Sequence, residues 1–351
     1  MKRNPEPDGI YTESKKDDMK KEQIKPEAIP IGVVGLGLMG SSICVCLLMA
    51  GHPVVAVAPL PADLEQARPR MMRHLENARR HGMMREAPEA VMQNLTVTED
   101  YGLLEPCKIV LECTIEDLEV KKSVFEKIEP RISPEALLTS NTSAIPITQL
   151  QELTRHPHRF FGLHWAEPAH TTRFLEIICG DHSDIRRGEY LYELSHHWSK
   201  EPILVRKDIP GFITNRLMYA MYREAMFLVE NGYATVEDVD RSCRNNAGYF
   251  MTLAGVFRWM DLTGVKAYHQ VMKDLLPTLH NGTEVPRMID DVVKAGGNGI
   301  SNAQGFHEYT EEEAREWERV FREFSYKIRE LALQYPADVV KRNLEKEKKD
   351  D

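Results

Sequence analysis

No CxxC spacing links the six cysteines at 44, 46, 107, 113, 179 and 243, and most of them stand inside apolar runs, where a reduced thiol packs as a small hydrophobe. No disulfide framework is therefore expected, and the compartment that suits the chain is reducing and cytoplasmic. No run reaches the ~18 to 20 apolar residues a membrane span needs, and the first residues lack a signal-type apolar stretch, so neither insertion nor secretion is expected. A cationic excess is missing too. The 45 Lys and Arg against 54 Asp and Glu leave a net charge of −9, which argues against a general nucleic-acid binder, whose phosphate affinity rests on clustered cations. Internal repeats and low-complexity blocks are also absent.

What remains is a chain of 351 residues, 42% hydrophobic and 28% charged, long enough for one large or two ordinary domains with full cores. Residues 1–28, with seven acids, seven bases and few apolar residues, read as a mobile charged arm. From Pro30 to Lys207 short apolar runs (IGVVG, VVAVA, KIVLEC, ALLTSN, RFFGLHW, FLEIIC, PILV) alternate with helix-length segments. That alternation predicts a doubly wound, mostly parallel α/β sheet over 29–207. After Lys207 the strand-like runs stop, and an all-α domain is expected over 208–335, ahead of a solvated tail at 336–351. Its first helix starts near Pro210 and stops at Asn231-Gly232; others are expected at 235–246, 263–280, 284–295 and 310–334.

The stretch IGVVGLGLMG sets Gly35, Gly37 and Gly40 in GxGxxG spacing between a strand-like run and a helix-like one. The first glycine permits the tight turn, the second lets backbone approach a pyrophosphate, and the third lets helix pack close to strand. A dinucleotide on the backbone of Gly35, Leu36, Gly37, Leu38, Met39 and Gly40, with its phosphates at the helix N-terminus, is the expectation. One part of that fingerprint is missing. Where an NAD site ends its second strand in an acid, this chain has Ala58 followed by Pro59, with no arginine to favour a 2′-phosphate, so NAD is expected and NADP stays open; Asp63 is the nearest acid for the ribose.

Taken in order, GLGLMG, IEDLEVK, SNTSAI, GLHWAEP, LEII, DIPGFITNRL and NNAGYFM resemble the 3-hydroxyacyl-CoA dehydrogenases of fatty-acid metabolism over about residues 30–310. The resemblance implies a Rossmann-type domain and a helical, dimerising domain like the C-terminal one of 6-phosphogluconate dehydrogenase, with the active site between them. It implies NAD-dependent interconversion of an L-3-hydroxyacyl-CoA and its 3-oxo form. His164 corresponds to the family's catalytic base, and Glu176, twelve residues on, to the carboxylate that orients it. Ser143 and Asn215 correspond to contacts with the substrate oxygens, and Glu116 and Lys121 to cofactor contacts beside the nicotinamide ribose; Asn141 is expected to be structural. The chemistry is consistent with those residue types. Oxidising an alcohol needs a base for the hydroxyl proton, and an unperturbed imidazole, titrating near ~6.5, exchanges protons at neutral pH.

Three positions depart from the pattern. Ala166 replaces the second aromatic after His164, Glu167 replaces an asparagine, and Ser301 stands where a lysine contacts cofactor. Glu167 is expected beside the reacting carbon, where it could bond a cationic or hydroxylated substrate, favour the charged imidazole, or turn outward. Arg68, Arg70, Arg73, Arg79 and Arg80 read either as a site for CoA phosphates or as a solvated helix face. His156, His158, His164 and His170 lack metal-ligand spacing, so no metal is expected. Three functions stay open: an acyl-CoA dehydrogenase, a dehydrogenase of a free polar 3-hydroxy acid with the same dyad, and a non-catalytic relative with a decayed cofactor site. The partners expected are a small molecule and a second copy of the chain, with no nucleic acid or membrane.

Overall fold

The computed structural model describes residues 24–350, so the arm expected at 1–28 lies largely outside the described residues. Eight strands form one sheet: β1 (Ile31–Val34), β2 (Val54–Val57), β3 (Leu95–Thr98), β4 (Ile109–Glu112), β5 (Leu137–Ser140), β6 (Phe160–Trp165), β7 (Leu175–Cys179) and β8 (Ile203–Val205). In space they run β3-β2-β1-β4-β5-β6-β7-β8, and every neighbouring pair is parallel except β6 and β7. The expected doubly wound sheet is present, with one antiparallel pair inside it. The runs IVLE, LLTS and FFGLHW are buried at every position, as parallel strands covered on both faces must be. Successive side chains divide between two cores: Ile31, Val33, Ile109, Leu111, Phe161 and Leu163 face one layer, and Val34, Val110, Leu138, Phe160 and Ile178 the other. Each such side chain contributes about 1.5–3 kcal/mol when fully buried. The strand ends are therefore the rigid frame from which any site must project.

Helix α1 (Leu38–Met49) is buried from Gly40 to Leu48 because SSICVCLL offers no polar face. Helix α2 (Pro61–Arg80) buries Ala67, Met71, Leu75 and Ala78, one stripe at helical spacing, and leaves Arg73, Arg79 and Arg80 exposed. The single turn α3 (Pro88–Val91), α4 (Leu118–Ile128), α5 (Ile147–Gln151) and α6 (Ile185–Ser195) complete the α/β half. All six cysteines are unpaired. Among the described residues, no helix is long and apolar enough to cross a membrane.

Beyond β8 the chain is helical: α7 (Thr214–Glu230), α8 (Val236–Ser242), α9 (Gly248–Met251), α10 (Gly255–Thr263), α11 (Val265–Leu275), α12 (Arg287–Lys294), α13 (Glu311–Gln334) and α14 (Val339–Asp350). The helix expected at 235–246 gives way at Cys243 to a π-helical turn, and the one expected from 263 is cut by Gly264, at φ +103°, leaving α10 as a separate helix the sequence pattern did not reveal. The C-terminal tail is an exposed helix, supported by i,i+4 pairs such as Arg342 to Asp338 at 2.8 Å. Helix α13 opens with the Thr310/Glu313 capping box. From Ile213 through Glu313 not one residue is buried.

Candidate active site

The strand order reverses between β1 and β4, so the turn after β1 opens at the crevice where α/β sheets take ligands. Gly35 has φ +98°, and a Cβ there would stand 2.7 Å from the Cys113 carbonyl oxygen at the end of β4. A Cβ on Gly40 would collide with the carbonyl oxygen of Gly35. A Cβ on Gly37, by contrast, meets nothing within 4 Å, and α1 begins at the next residue with no side chain capping it. That open space over uncapped helix amides fits an anionic pyrophosphate. Ligand present at about 100 times its Kd stabilises a native protein by about 2.7 kcal/mol. The variant Gly40→Ala is expected to lose most of that stabilisation in a thermal titration with NADH, because backbone, not a flexible side chain, blocks the added methyl.

Arg70 of α2 reaches back over the turn. Its Nη1 donates to the Leu36 carbonyl at 2.9 Å and the Ser41 hydroxyl at 3.3 Å, so this arginine clamps the glycine turn, a role neither of the two sequence readings assigned to it. Arg68 donates to the Leu95 carbonyl at 3.2 Å. Ala58 is buried, its amide bonded to the Thr98 carbonyl at 2.8 Å. Ser301 is exposed and bonds within its own turn, to Asn298.

The antiparallel pairing of β6 and β7 sets His164 opposite Glu176. Imidazole Nδ1 lies 2.8 Å from carboxylate Oε2, with the side chains 8% and 0% exposed. The other oxygen, Oε1, accepts from the amides of Ile213 at 3.1 Å and Thr214 at 2.9 Å, where α7 begins. One carboxylate thus ties the imidazole to the first turn of the helical half, whose N-terminus favours negative charge. Burial pushes the Glu176 carboxyl up, but the hydrogen bond from His164, the two amides and the His164 charge outweigh it and hold the pKa below the ordinary value. Phe174 stands edge-on to the imidazole at 5.4 Å between centroids, and Phe212 lies at 5.6 Å, carried by a turn in which Gly211 and Phe212 both have positive φ. Among the described residues, Nε2 of His164 has no hydrogen-bond partner.

The SNTSA turn stands beside this pair. Oε1 of Glu116 accepts from the Thr142 hydroxyl at 2.6 Å and from the amides of Ser143 and Ala144 at 2.9 and 3.0 Å. Buried Lys121 bonds Glu112 at 2.9 Å and Glu116 at 3.4 Å, so it anchors Glu116. Glu112 ends β4 and also accepts from Thr114 and from the Ser140 hydroxyl, both at 2.5 Å. It was missed in the sequence, although an acid closing the apolar run KIVLE was the available signal. Ser143 is exposed, and its carbonyl accepts from Asn215 Nδ2 at 2.7 Å, joining the two halves. Asn141 is structural, though not within its own turn: its Oδ1 accepts from the Trp165 amide at 3.0 Å.

Glu167 is turned toward Ser42 of α1. Its Oε2 is closed from solvent and has no partner among the described residues. Burial pushes the carboxyl up to about 7 against the lowering pull of the Ser42 hydroxyl, the Ala169 amide and Arg70.

A glycine turn at the switch point of a parallel sheet and a histidine anchored by a buried carboxylate define the class of two-domain dinucleotide-dependent dehydrogenases. The family model "3-hydroxyacyl-CoA dehydrogenase, NAD binding domain" matches residues 30–209, and "3-hydroxyacyl-CoA dehydrogenase, C-terminal domain" matches residues 211–309. The chain belongs to the 3-hydroxyacyl-CoA dehydrogenase family, with an NAD-binding domain at its N-terminal side. Among its relatives is the 5-formyl-3-hydroxy-2-methylpyridine 4-carboxylate 5-dehydrogenase of Mesorhizobium japonicum, 31% identical over 79% of this chain and 89% of that one. The 3-hydroxybutyryl-CoA dehydrogenase of Mycobacterium tuberculosis is 30% identical over 77% of this chain and 95% of its own length. A crystal structure described as the first of these enzymes, an NAD+ dependent dismutase, superposes with TM-score 0.82 at 28% identity, covering 88% of this chain and 99% of that one. The (S)-3-hydroxybutyryl-CoA dehydrogenase of Ralstonia eutropha superposes with TM-score 0.67 at 26% identity, covering 80% and 99%.

Proposed function

We propose that the chain interconverts a hydroxyl and a carbonyl on the carbon β to an acyl group, with His164 as general base and acid and Glu176 as the group that orients it. The observation that carries this reading is the chain of bonds from His164 Nδ1 through Glu176 to the Ile213 and Thr214 amides. Because Nδ1 donates to the carboxylate, the Nε2 lone pair is left facing outward for the substrate proton. The carboxylate then stabilises the imidazolium that forms. NAD, when bound, would supply the hydride acceptor; the Gly35 to Gly40 backbone would hold its pyrophosphate, and Glu116, anchored by Lys121, would contact its nicotinamide ribose. The exposed Ser143 hydroxyl donates to the acyl oxygen, and Asn215 keeps that turn in place.

For the substrate we favour a compact free acid over a CoA thioester. Ala166 is smaller than the aromatic side chain that the family resemblance implies at this position, and the free-acid dehydrogenase of Mesorhizobium japonicum superposes with TM-score 0.82 against 0.67 for the CoA-dependent enzyme of Ralstonia eutropha. The thioester reading draws on Arg79 and Arg80, which line an open cleft of about 490 Å³; Glu76 and Glu89 share that cleft and weaken it as a phosphate site. Loss of NADH absorbance with acetoacetate or an aromatic formyl carboxylate, and none with acetoacetyl-CoA, is the expected result; the reverse pattern overturns the substrate class and keeps the dyad.

A second copy of the chain completes the helical half. About a hundred consecutive residues without one buried side chain cannot form a core alone, and Tyr249, Phe257 and Leu262 stand 75%, 79% and 65% exposed. Light scattering is expected to give twice the 40.3 kDa of one chain, with a melting temperature that falls on dilution. A monomeric mass at micromolar concentration would exclude this assembly.

A further inference from the structure

Helix α13 begins at Glu311, after the last residue either family model matches, yet it packs on the loop that joins the strand of His164 to the strand of Glu176. Arg329 Nη1 donates to the Thr171 carbonyl at 3.0 Å, and Arg173 of the loop returns a bond to the Ala332 carbonyl at 3.1 Å. The Tyr326 ring lies flat on His81 at the end of α2, centroids 3.9 Å apart, and its hydroxyl stands 3.4 Å from His170 Nε2. The other ring nitrogen of His170 is 3.2 Å from the Ser42 hydroxyl, which also accepts the Ala169 amide at 2.7 Å. Ser42 lies in α1, directly behind the glycine turn. A hydrogen-bonded chain therefore runs from the dinucleotide helix, through the loop, to α13.

The Ser42 oxygen accepts the Ala169 amide, and its one hydroxyl proton faces both His170 Nδ1 and the Glu167 carboxyl; either ring tautomer of His170 continues the chain, because the Tyr326 hydroxyl can donate or accept. Burial, with the charges of His74, Lys200 and Arg329, holds the His170 pKa down to about 3, so the neutral ring persists at working pH. From the sheet side, Lys200 donates to the carbonyls of Ala169 and Thr172.

We propose that Tyr326 and Arg329 are positioning residues of the dehydrogenase site: α13 holds the 166–173 loop against Ser42, and so fixes the placement of the dinucleotide turn relative to His164 and Glu176. The inference rests on reading those residues as cofactor turn and catalytic dyad. It is tested in the full-length protein with Tyr326→Phe, which keeps the ring on His81 and removes only the hydroxyl, and with Arg329→Met, which keeps the stem and removes the donors. Each is expected to raise the NADH dissociation constant about three- to tenfold, the weight of one hydrogen bond, and to speed amide exchange over 169–172. The KM for NADH should rise while that for the carbonyl substrate stays. Ser42→Ala should weaken NADH similarly, and the double variant with Tyr326→Phe no further, because both cut one chain. Additive effects in the double variant, or unchanged NADH affinity and loop exchange in the single variants when the wild type binds NADH, overturn the proposal. A wild type that does not bind NADH overturns the cofactor reading first, and this inference with it.

Discussion

Replacing His164 with glutamine is expected to lower kcat by about 10²- to 10⁴-fold while the NADH dissociation constant stays within about twofold. The amide of glutamine can donate to Glu176 through its NH2 or accept from the substrate hydroxyl through its oxygen, but it cannot take up the proton. Its side chain leaves the glycine turn untouched, since no described bond links His164 to residues 35–40. Pre-steady-state hydride transfer, followed by the change in NADH absorbance, separates the two quantities. The imidazole is packed between Phe174 and Phe212, so the variant also loses ring contacts, and a control is needed for that loss. His164→Phe keeps an aromatic ring there; equal inactivation of both variants with retained melting temperature assigns the loss to the proton. Unchanged turnover in His164→Gln would remove His164 from the mechanism.

The parts of this architecture that could be read from the chain are those whose constraint is local. Of the three glycines within six residues, two answer to the backbone of the turn itself: Gly35 takes a positive φ and Gly40 lies against the Gly35 carbonyl. The sheet was legible for the same reason, because strands covered on both faces leave uninterrupted apolar runs. The pairing of His164 with Glu176 is different. Spacing of twelve residues does not specify register, and only the family resemblance singled out these two. Contacts between distant residues left no trace at all: Ser42 and His170 are 128 positions apart, His170 and Tyr326 are 156 apart, and Lys200 meets the loop through backbone carbonyls, which every sequence has. The helical half was legible as helices but not in its breaks: a π turn interrupts the run at Cys243, and Gly264 takes a positive φ between two helices.

The second large effect falls on Glu176, where stability and catalysis meet. Its carboxylate accepts three donors, His164 Nδ1 and the amides of Ile213 and Thr214, and is fully buried. Glu176→Gln presents one oxygen and one NH2 to that ring of donors, so at least one bond becomes donor against donor. Breaking a buried charged hub of this kind costs about 3–5 kcal/mol, and a wrongly held imidazole tautomer can cost up to about 10⁴-fold in kcat. Glu176→Asp, which keeps the charge but falls short of the α7 amides, should retain more activity than Gln. The pH dependence follows from the sign of the shift. Because the folded carboxyl titrates below its unfolded value, its stabilisation is fully present above the ordinary carboxylate pKa and is lost as pH falls through the lower, folded one. Urea midpoints measured from pH 7 down to pH 3 should therefore drop in the wild type across the acid range, with a smaller drop in Glu176→Gln, which has no proton to take up there. Equal acid slopes in the two proteins would show that this carboxylate does not carry the link between the imidazole and the start of α7.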